Sequence, residues 1–307
     1  MVEFPTIATE ERLALLEPPQ GALAMVLDTD TYNEIDDQFA LVYAMLSSNL
    51  TVEAVYAAPF FNKRSTGPAD GMEKSYEEIL RVLDRLGHEP SGLVYRGSRS
   101  YLPSPSEPVA SEASQDLVDK AFAQREGPLY ALAIGAITNV ASAILLEPEI
   151  IRHIVVVWLG GQPHYWPTAK EFNLGQDVAA AQVVFDSGVP LVHIPCKNVA
   201  EHLRTTLPEM QAYVKGQGAI GDYLYQIFED HRDDHFAASK VLWDISSVAY
   251  LNNPDWVPTE LRPSPILRDD VTWAPEDPGR HRVRVAYDVN RDAVYGDLFH
   301  KLERALA

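Results

Sequence analysis

Five carboxylates are crowded into a ten-residue segment near the N-terminus. They are Asp28, Asp30, Glu34, Asp36 and Asp37. Carboxylates this close repel one another unless a cation lies among them, and Ca²⁺ and Mg²⁺ prefer oxygen ligands. A bound divalent cation also acidifies water, and a nearby carboxylate can take the proton. Helix capping by Asp36 and Asp37 would leave the other three unexplained. We therefore predict a metal site held partly by Asp30 and Asp37.

Two other metal-dependent motifs fit this segment less well. An EF-hand loop starting at Asp28 fails, because its glycine position holds Asn33 and its closing acidic position holds Phe39. The segment also resembles the Asp-x-Asp-x-Thr start of haloacid-dehalogenase phosphatases, with Asp28 as nucleophile and Asp30 as acid/base. The final Thr of that motif is Tyr32 here, and no convincing copy of the later acidic motif is present. The phosphatase remains the less favoured alternative.

The carboxylates follow a predicted strand and open a predicted helix, which is where open α/β folds bind ligands. Short runs rich in Val, Leu and Ile alternate with segments of helical period. We predict strands over residues 23–27, 52–57, 129–134, 154–158 and 191–194. We predict helices over residues 36–47, 71–86, 139–146 and 177–186. Near-continuous apolar strands separated by helices indicate a mostly parallel sheet with helices on both faces, a three-layer α/β fold.

The pattern changes from about residue 207 onwards. Helices are predicted over residues 218–230, 244–251 and 294–306, and a strand over 283–287. Residues 254–278 are rich in proline and acidic residues and are expected to be mostly loop. No flexible linker separates these parts, so we predict one domain over residues 1–307 with a helical C-terminal portion.

Composition argues against several classes of function. The formal net charge is −19, and phosphate contacts need clustered Lys and Arg, so nucleic acids and anionic membranes are not expected partners. A single cysteine, Cys196, excludes an intrachain disulfide or a cysteine-rich zinc site. The N-terminus shows no secretory pattern, and apolar runs such as residues 154–159 are far shorter than a membrane span. We expect a soluble cytoplasmic protein.

A predicted strand, then Asp28-Thr29-Asp30, then a loop that ends in Asp36-Asp37 resembles the opening of the inosine-uridine-preferring nucleoside hydrolases. The loop between the two motifs is about two residues longer here than is usual in that family. Four later segments resemble that family in the expected order. They are residues 57–62 (AAPFFN), residues 134–139 (IGAITN), Gly160-Gly161 with Glu171-Phe172-Asn173, and Trp243-Asp244 followed by residues 248–250. Each piece is weak alone, but five in order are specific. The resemblance covers roughly residues 23–254.

The resemblance implies calcium-dependent hydrolysis of the N-glycosidic bond of a nucleoside or related ribosyl compound. It implies calcium ligands at Asp30, Asp37, Asp244 and the Ile134 carbonyl, with Asp30 also the general base for the attacking water. It implies that the ribose hydroxyls are held by Asp36, Asn62, Glu171 and Asn173, and that Asp28 orients the loop. It also implies a homodimer or homotetramer.

An acidic pocket suits this chemistry, because N-glycosidic cleavage passes through an oxocarbenium-like transition state. It also favours a neutral nucleoside over a nucleotide, whose phosphate would be repelled. Lys63 and Arg64 follow Asn62 and could receive an anionic group, but we interpret them as a solvated loop.

The sequence departs from the family in two places. Purine-preferring members carry a His, a candidate leaving-group acid, where this chain has Trp243, which cannot usefully donate a proton. Trp243 is left to stack on the base or to pack in the core. Between Gly161 and Glu171 an aromatic group replaces the usual Asn, with His164 as the best acid candidate and Trp166 as a base or 5′ contact. A non-catalytic or weakly catalytic ribosyl-binding protein is the main alternative.

Overall fold

The predicted parallel strands lie in one eight-stranded sheet in a computed structural model of the chain, which describes residues 3–305. The strands are β1 (Leu23–Thr29), β2 (Leu50–Ala57), β3 (Val94–Arg96), β4 (Leu129–Ala133), β5 (Ile154–Leu159), β6 (Leu191–Ile194), β9 (Thr259–Pro263) and β10 (Arg282–Ala286). Their order is β3-β2-β1-β4-β5-β6-β10-β9, and only β9 pairs antiparallel. A separate pair joins β7 (Arg204–Thr205) and β8 (Lys240–Val241).

Helices cover both faces of the sheet. They are α1 (Thr9–Leu15), α2 (Asp37–Met45), α3 (Pro68–Leu86), α4 (Glu112–Ala121), α5 (Thr138–Leu146), α6 (Phe172–Gln176), α7 (Val178–Asp186), α8 (Leu207–Tyr213), α9 (Gly218–Asp230), α10 (Ile245–Asn252) and α11 (Arg291–Arg304). Alternate residues of β5 point to opposite faces of the sheet and enter two apolar clusters. Val155 and Val157 belong to the cluster that includes residues of α2, α3 and α8–α11. Val156 and Trp158 belong to the cluster that includes residues of α4, α5 and α7. This confirms the three-layer α/β fold.

Most predicted elements are present, with shifts of a few residues at their ends. The loop predicted over residues 254–278 contains β9, which forms the sheet edge beside β10. Polar and exposed side chains dominate β9, so its sequence lacks the apolar run of an inner strand. The helix predicted over 294–306 corresponds to α11, and residue 306 lies outside the described residues. Helices α1, α4, α6 and α8 and strands β3, β7 and β8 were not predicted.

The strand order brings the candidate site residues to one edge of the sheet. Asp28 on β1 pairs with Ala133 on β4, so Asp30 and Ile134 leave the sheet side by side. Strand β5 follows β4 and ends at Leu159, next to the Gly160-Gly161 turn. None of the helices in residues 3–305 combines the length and apolar composition needed to cross a bilayer.

Candidate active site

Three buried carboxylates converge where helix α2 packs against helix α10. One ligand oxygen from each of Asp36, Asp37 and Asp244 lies within 4.8 Å of the other two. Asp36 and Asp244 directly precede α2 and α10, where helix N-termini favour negative charge. In the described chain neither uses its side chain to cap its helix, so capping does not explain these residues.

Asp30 is fully buried and close enough to this triad for its charge to interact with those of the three carboxylates. Among residues 3–305, neither of its carboxylate oxygens has a hydrogen-bond partner. A Cβ on Gly135 would approach the Asp30 carboxyl carbon to 3.0 Å, so glycine makes room for this side chain. Asn139, in the first turn of α5, donates to the Asp28 carboxylate at 2.8 Å. The turn after β4 therefore shapes the environment of both aspartates.

The electrostatics of the carboxylates fit a divalent cation. Burial and the neighbouring Asp37 and Asp36 raise the pKa of Asp30 well above its ordinary value. Burial and Asp36 raise the pKa of Asp37 to about 7, although Thr29 donates to it at 2.6 Å. Burial, Asp36 and Asp37 also raise the pKa of Asp244. A hard cation with oxygen ligands would relieve both the burial cost and the repulsion.

The triad lines a cavity of about 330 Å³ at the carboxyl edge of the sheet. Its lining also includes Ile134, Glu171 and Asn173. The Glu171 carboxylate begins α6 by accepting the backbone N–H groups of Asn173 and Leu174 at 3.0 and 3.2 Å. Burial raises its pKa, and these hydrogen bonds oppose the rise. The Asn173 side chain donates to the Ile134 carbonyl at 3.0 Å. This hydrogen bond joins a predicted ribose-binding residue to a predicted metal ligand.

Trp243 stands between this cavity and a second, larger one. Its backbone N–H donates to the Asp36 carboxylate at 3.0 Å. The other Asp36 oxygen lies 3.6 Å from the Lys240 ammonium. Burial opposes the charge on Lys240, but Asp36 and Glu34 still raise its pKa. Asp36 is therefore already paired, whereas Asp30 is not.

Asn62 borders the larger cavity and contacts the aspartate loop. Its side-chain amide donates to the Asn33 side chain at 2.6 Å, and its carbonyl oxygen accepts from the Arg64 backbone N–H at 2.8 Å. The two-residue extension of the loop, which includes Asn33, thus packs directly against a predicted ribose-binding residue.

Comparison with known proteins assigns the chain to a family. A family model described as inosine-uridine preferring nucleoside hydrolase matches residues 25–296. The chain belongs to this family. A probable uridine nucleosidase from Arabidopsis thaliana is 25% identical over 264 residues, which are 78% of each protein. A pyrimidine-specific ribonucleoside hydrolase from an Enterobacter strain is 30% identical over 191 residues, 56% of this chain and 59% of that protein.

The fold agrees with this membership. The solved structure of a plant nucleoside hydrolase matches with a TM-score of 0.73 at 20% identity, covering 92% of this chain and 99% of that one. Membership in the family makes this chain a nucleoside hydrolase, an enzyme that cleaves N-glycosidic bonds of ribonucleosides. The phosphatase alternative is therefore set aside.

Two predicted site residues of this nucleoside hydrolase lie elsewhere. His164 lines a separate cavity of about 210 Å³ with Trp273. Its ring stacks on His193, and the two rings share a hydrogen bond of 3.1 Å. Burial and His193 lower the pKa of His164, which keeps the ring neutral. Trp166 is half-buried in the same loop, edge-on to the exposed Tyr165. The structure does not bring His164 or Trp166 to the carboxylates.

The hydrolase also has site residues that the sequence did not reveal. Lys240 reaches Asp36 from β8, a two-residue strand with no recognisable pattern. Cys196 lines the acidic cavity with Glu171, and burial together with Glu171 raises the pKa of its thiol. Neither residue belongs to a motif, so only the three-dimensional structure could have identified them.

Proposed function

We propose that the chain hydrolyses the N-glycosidic bond of a ribonucleoside or related ribosyl compound in a calcium-dependent reaction. The observation that carries this proposal is the fully buried, unpartnered Asp30, whose charge interacts with those of Asp37 and Asp244, two of the three carboxylates that line the cavity with Glu171 and Asn173. Because the Lys240 ammonium already offsets the charge of Asp36, we assign the metal to Asp30, Asp37 and Asp244, and we add the Ile134 carbonyl from the family resemblance.

In this proposal one group of residues activates the attacking water and another binds the ribose. A divalent cation in the assigned site would offset the carboxylate charges and lower the pKa of a water molecule that it binds. Asp30 accepts the proton of the attacking water. Asp36, Asn62, Glu171 and Asn173 bind the ribose hydroxyls and orient the C1′ carbon. The surrounding carboxylates stabilise the positive charge that develops on the sugar ring.

Trp243 takes a different role from a proton donor. Its indole ring stands where the sugar cavity meets the larger cavity, so we propose that it packs on the base or the sugar. The lack of a proton donor at this position also favours a second candidate, a metal-dependent ribosyl-binding protein with little turnover. Activity measurements separate the two.

Reducing-sugar release tests the proposal. We expect release from at least one member of a panel of purine and pyrimidine ribonucleosides with added calcium, and loss of release after chelation. Sustained calcium binding without release from any nucleoside would contradict the hydrolase proposal and support the binding protein.

Three further expectations belong to this proposal. A single domain over residues 1–307 is supported by the contribution of β1 and β10, from opposite ends of the chain, to one sheet. A homodimer or homotetramer and a cytoplasmic location stay predictions, the first from the family resemblance and the second from composition.

A further inference from the structure

A cavity of about 1080 Å³ adjoins the acidic cavity and has the opposite charge. The two share Asn33, Glu34 and Trp243 in their walls. Six cationic side chains line the larger cavity, against the three carboxylates of Glu34, Glu78 and Asp230. The six are Lys63, Arg64, Arg81, Arg204, Arg232 and Lys240. A cationic cavity is unexpected in a chain with a net charge of −19.

Most of this positive charge is not neutralised by the chain itself. Arg81 pairs with Glu78, and Lys240 pairs with Glu34 and Asp36. For the other four cations, no carboxylate among residues 3–305 lies within 4.0 Å. The cavity therefore has capacity for an anionic group.

Arg64 is the best positioned of these cations. Its guanidinium lies 4.2 Å from the centre of the Tyr32 ring and donates to the Glu34 carbonyl at 3.1 Å. Its backbone N–H donates to Asn62 at 2.8 Å, so the residue is tied to a predicted ribose contact. Arg64 is half-buried, whereas Lys63 is exposed. A fixed guanidinium beside an aromatic ring suits a planar anion.

We infer that the larger cavity receives the base and selects bases that carry a negative charge, such as a pyrimidine with a ring carboxylate. This inference rests on the proposed function. Asn62, a predicted ribose contact, and Trp243, which we propose to pack on the base or the sugar, both line this cavity, and we assign it to the base rather than to the ribose 5′ position. Arg64, which the Tyr32 ring holds in place, contacts the anionic substituent.

The same cations compensate for the missing proton donor. Trp243 cannot protonate the leaving base. When the C1′–N bond breaks, its electron pair stays on the ring nitrogen, and the oxygen of water forms the new bond to C1′. The proton of that water passes to Asp30. The base departs with one more negative charge, which the cationic cavity stabilises, and takes a proton from solvent afterwards.

Orotidine and uridine test this inference, because they differ only by the carboxylate on the base. We expect kcat/KM for orotidine to exceed that for uridine. Arg64→Gln should lower the orotidine-to-uridine ratio by about tenfold, the usual effect of losing one hydrogen bond to a charged group, and Arg64→Lys should retain part of it. Arg85→Gln is the matched control, because Arg85 lies on α3 over the Tyr223 ring and outside the cavity lining.

Two outcomes would overturn the inference. One is a wild-type ratio of one or less. The other is a ratio that falls equally in Arg64→Gln and Arg85→Gln. Uridine 5′-monophosphate is included as a third substrate. If Arg64→Gln reduced its turnover instead of that of orotidine, the anionic group would belong to the ribose, and the assignment to the base would be wrong.

A binding measurement separates failure of this inference from failure of the proposed function. Orotate and uracil are titrated by calorimetry against the calcium-loaded protein. We expect orotate to bind about tenfold more tightly, with the difference lost in Arg64→Gln and kept in Arg85→Gln. Equal affinities would contradict the inference. Preferential orotate binding without hydrolysis of any nucleoside would contradict only the proposed function.

Discussion

The acidic cavity and the cationic cavity share a wall but handle charge in different ways. The carboxylates of Asp30, Asp37 and Asp244 are almost completely buried, and burial raises their pKa values. In the larger cavity, cations such as Lys63 and Arg232 are exposed and keep their charge in contact with water. The comparison teaches that burial makes a charged carboxylate costly unless a proton or a cation offsets it, whereas an exposed cation stays hydrated at little cost.

Removing a carboxylate from the acidic cavity should have the largest effect on metal binding. Asp244→Ala is expected to weaken calcium binding by at least about 100-fold. Loss of a residue that only orients a metal ligand lowers metal affinity by up to about 100-fold, and loss of a ligand itself should cost at least as much. Isothermal titration calorimetry gives the dissociation constants. Asp233→Ala removes an exposed carboxylate outside the triad and should leave calcium affinity unchanged. Equal calcium affinities in the two variants would contradict the assignment of Asp244 as a calcium ligand in the acidic cavity.

The pH dependence of stability should sharpen the same contrast. The pKa values of Asp28 and Asp37 are raised to about 7 in the folded chain, above their ordinary values. The folded state therefore binds more protons than the unfolded state, so without metal its stability falls as pH rises from about 4 through about 7. Calcium binds the deprotonated carboxylates. The calcium concentration is fixed at about 100 times the dissociation constant measured at pH 8. At that concentration calcium should raise the melting temperature by about 5 °C at pH 8 and by less at pH 5.

Thermal unfolding at both pH values, with calcium and with a chelator, provides the test. Magnesium at the same concentration serves as the comparison ion. An equal calcium effect at pH 5 and pH 8 would show that the buried carboxylates are not the groups that bind the ion.

The smallest effect is expected at His164, which lies outside both cavities. His164→Ala should change kcat/KM by less than about threefold, because the ring contacts His193 and Trp273 rather than the carboxylates. Its melting temperature should fall by a few degrees, since a half-buried stacked ring and its hydrogen bond are lost. A large loss of kcat with an altered pH profile would restore the sequence-based assignment of His164 as a leaving-group acid.

The part of the site that could be predicted from sequence is the part fixed by strand ends. Asp30, Ile134 and Gly160 each follow an apolar strand, and neighbouring parallel strands end at the same edge of the sheet. Their proximity therefore follows from the strand order and from the family motifs. Asp244 could be placed only through the family resemblance, because α10 approaches α2 across nearly two hundred residues of chain.

The remaining residues depend on where loops turn, which single-sequence patterns do not encode. His164 is close in sequence to Glu171, but the loop after Gly161 directs its ring towards His193. Lys240 has no motif and reaches Asp36 only because β8 pairs with β7. Arg64 was interpreted as a solvated loop residue, and its contact with Tyr32 required the folded aspartate loop.

The most direct test of the account is Asp30→Asn at saturating calcium. The substitution keeps the shape of the side chain but removes its ability to accept a proton. We expect kcat for ribose release to fall by about 10²- to 10⁴-fold, the usual contribution of a general base. The calcium-free melting temperature should stay the same or rise, because a repelled buried charge is removed. Near-normal turnover in the calcium-saturated variant would show that Asp30 is not the base and would contradict the central claim.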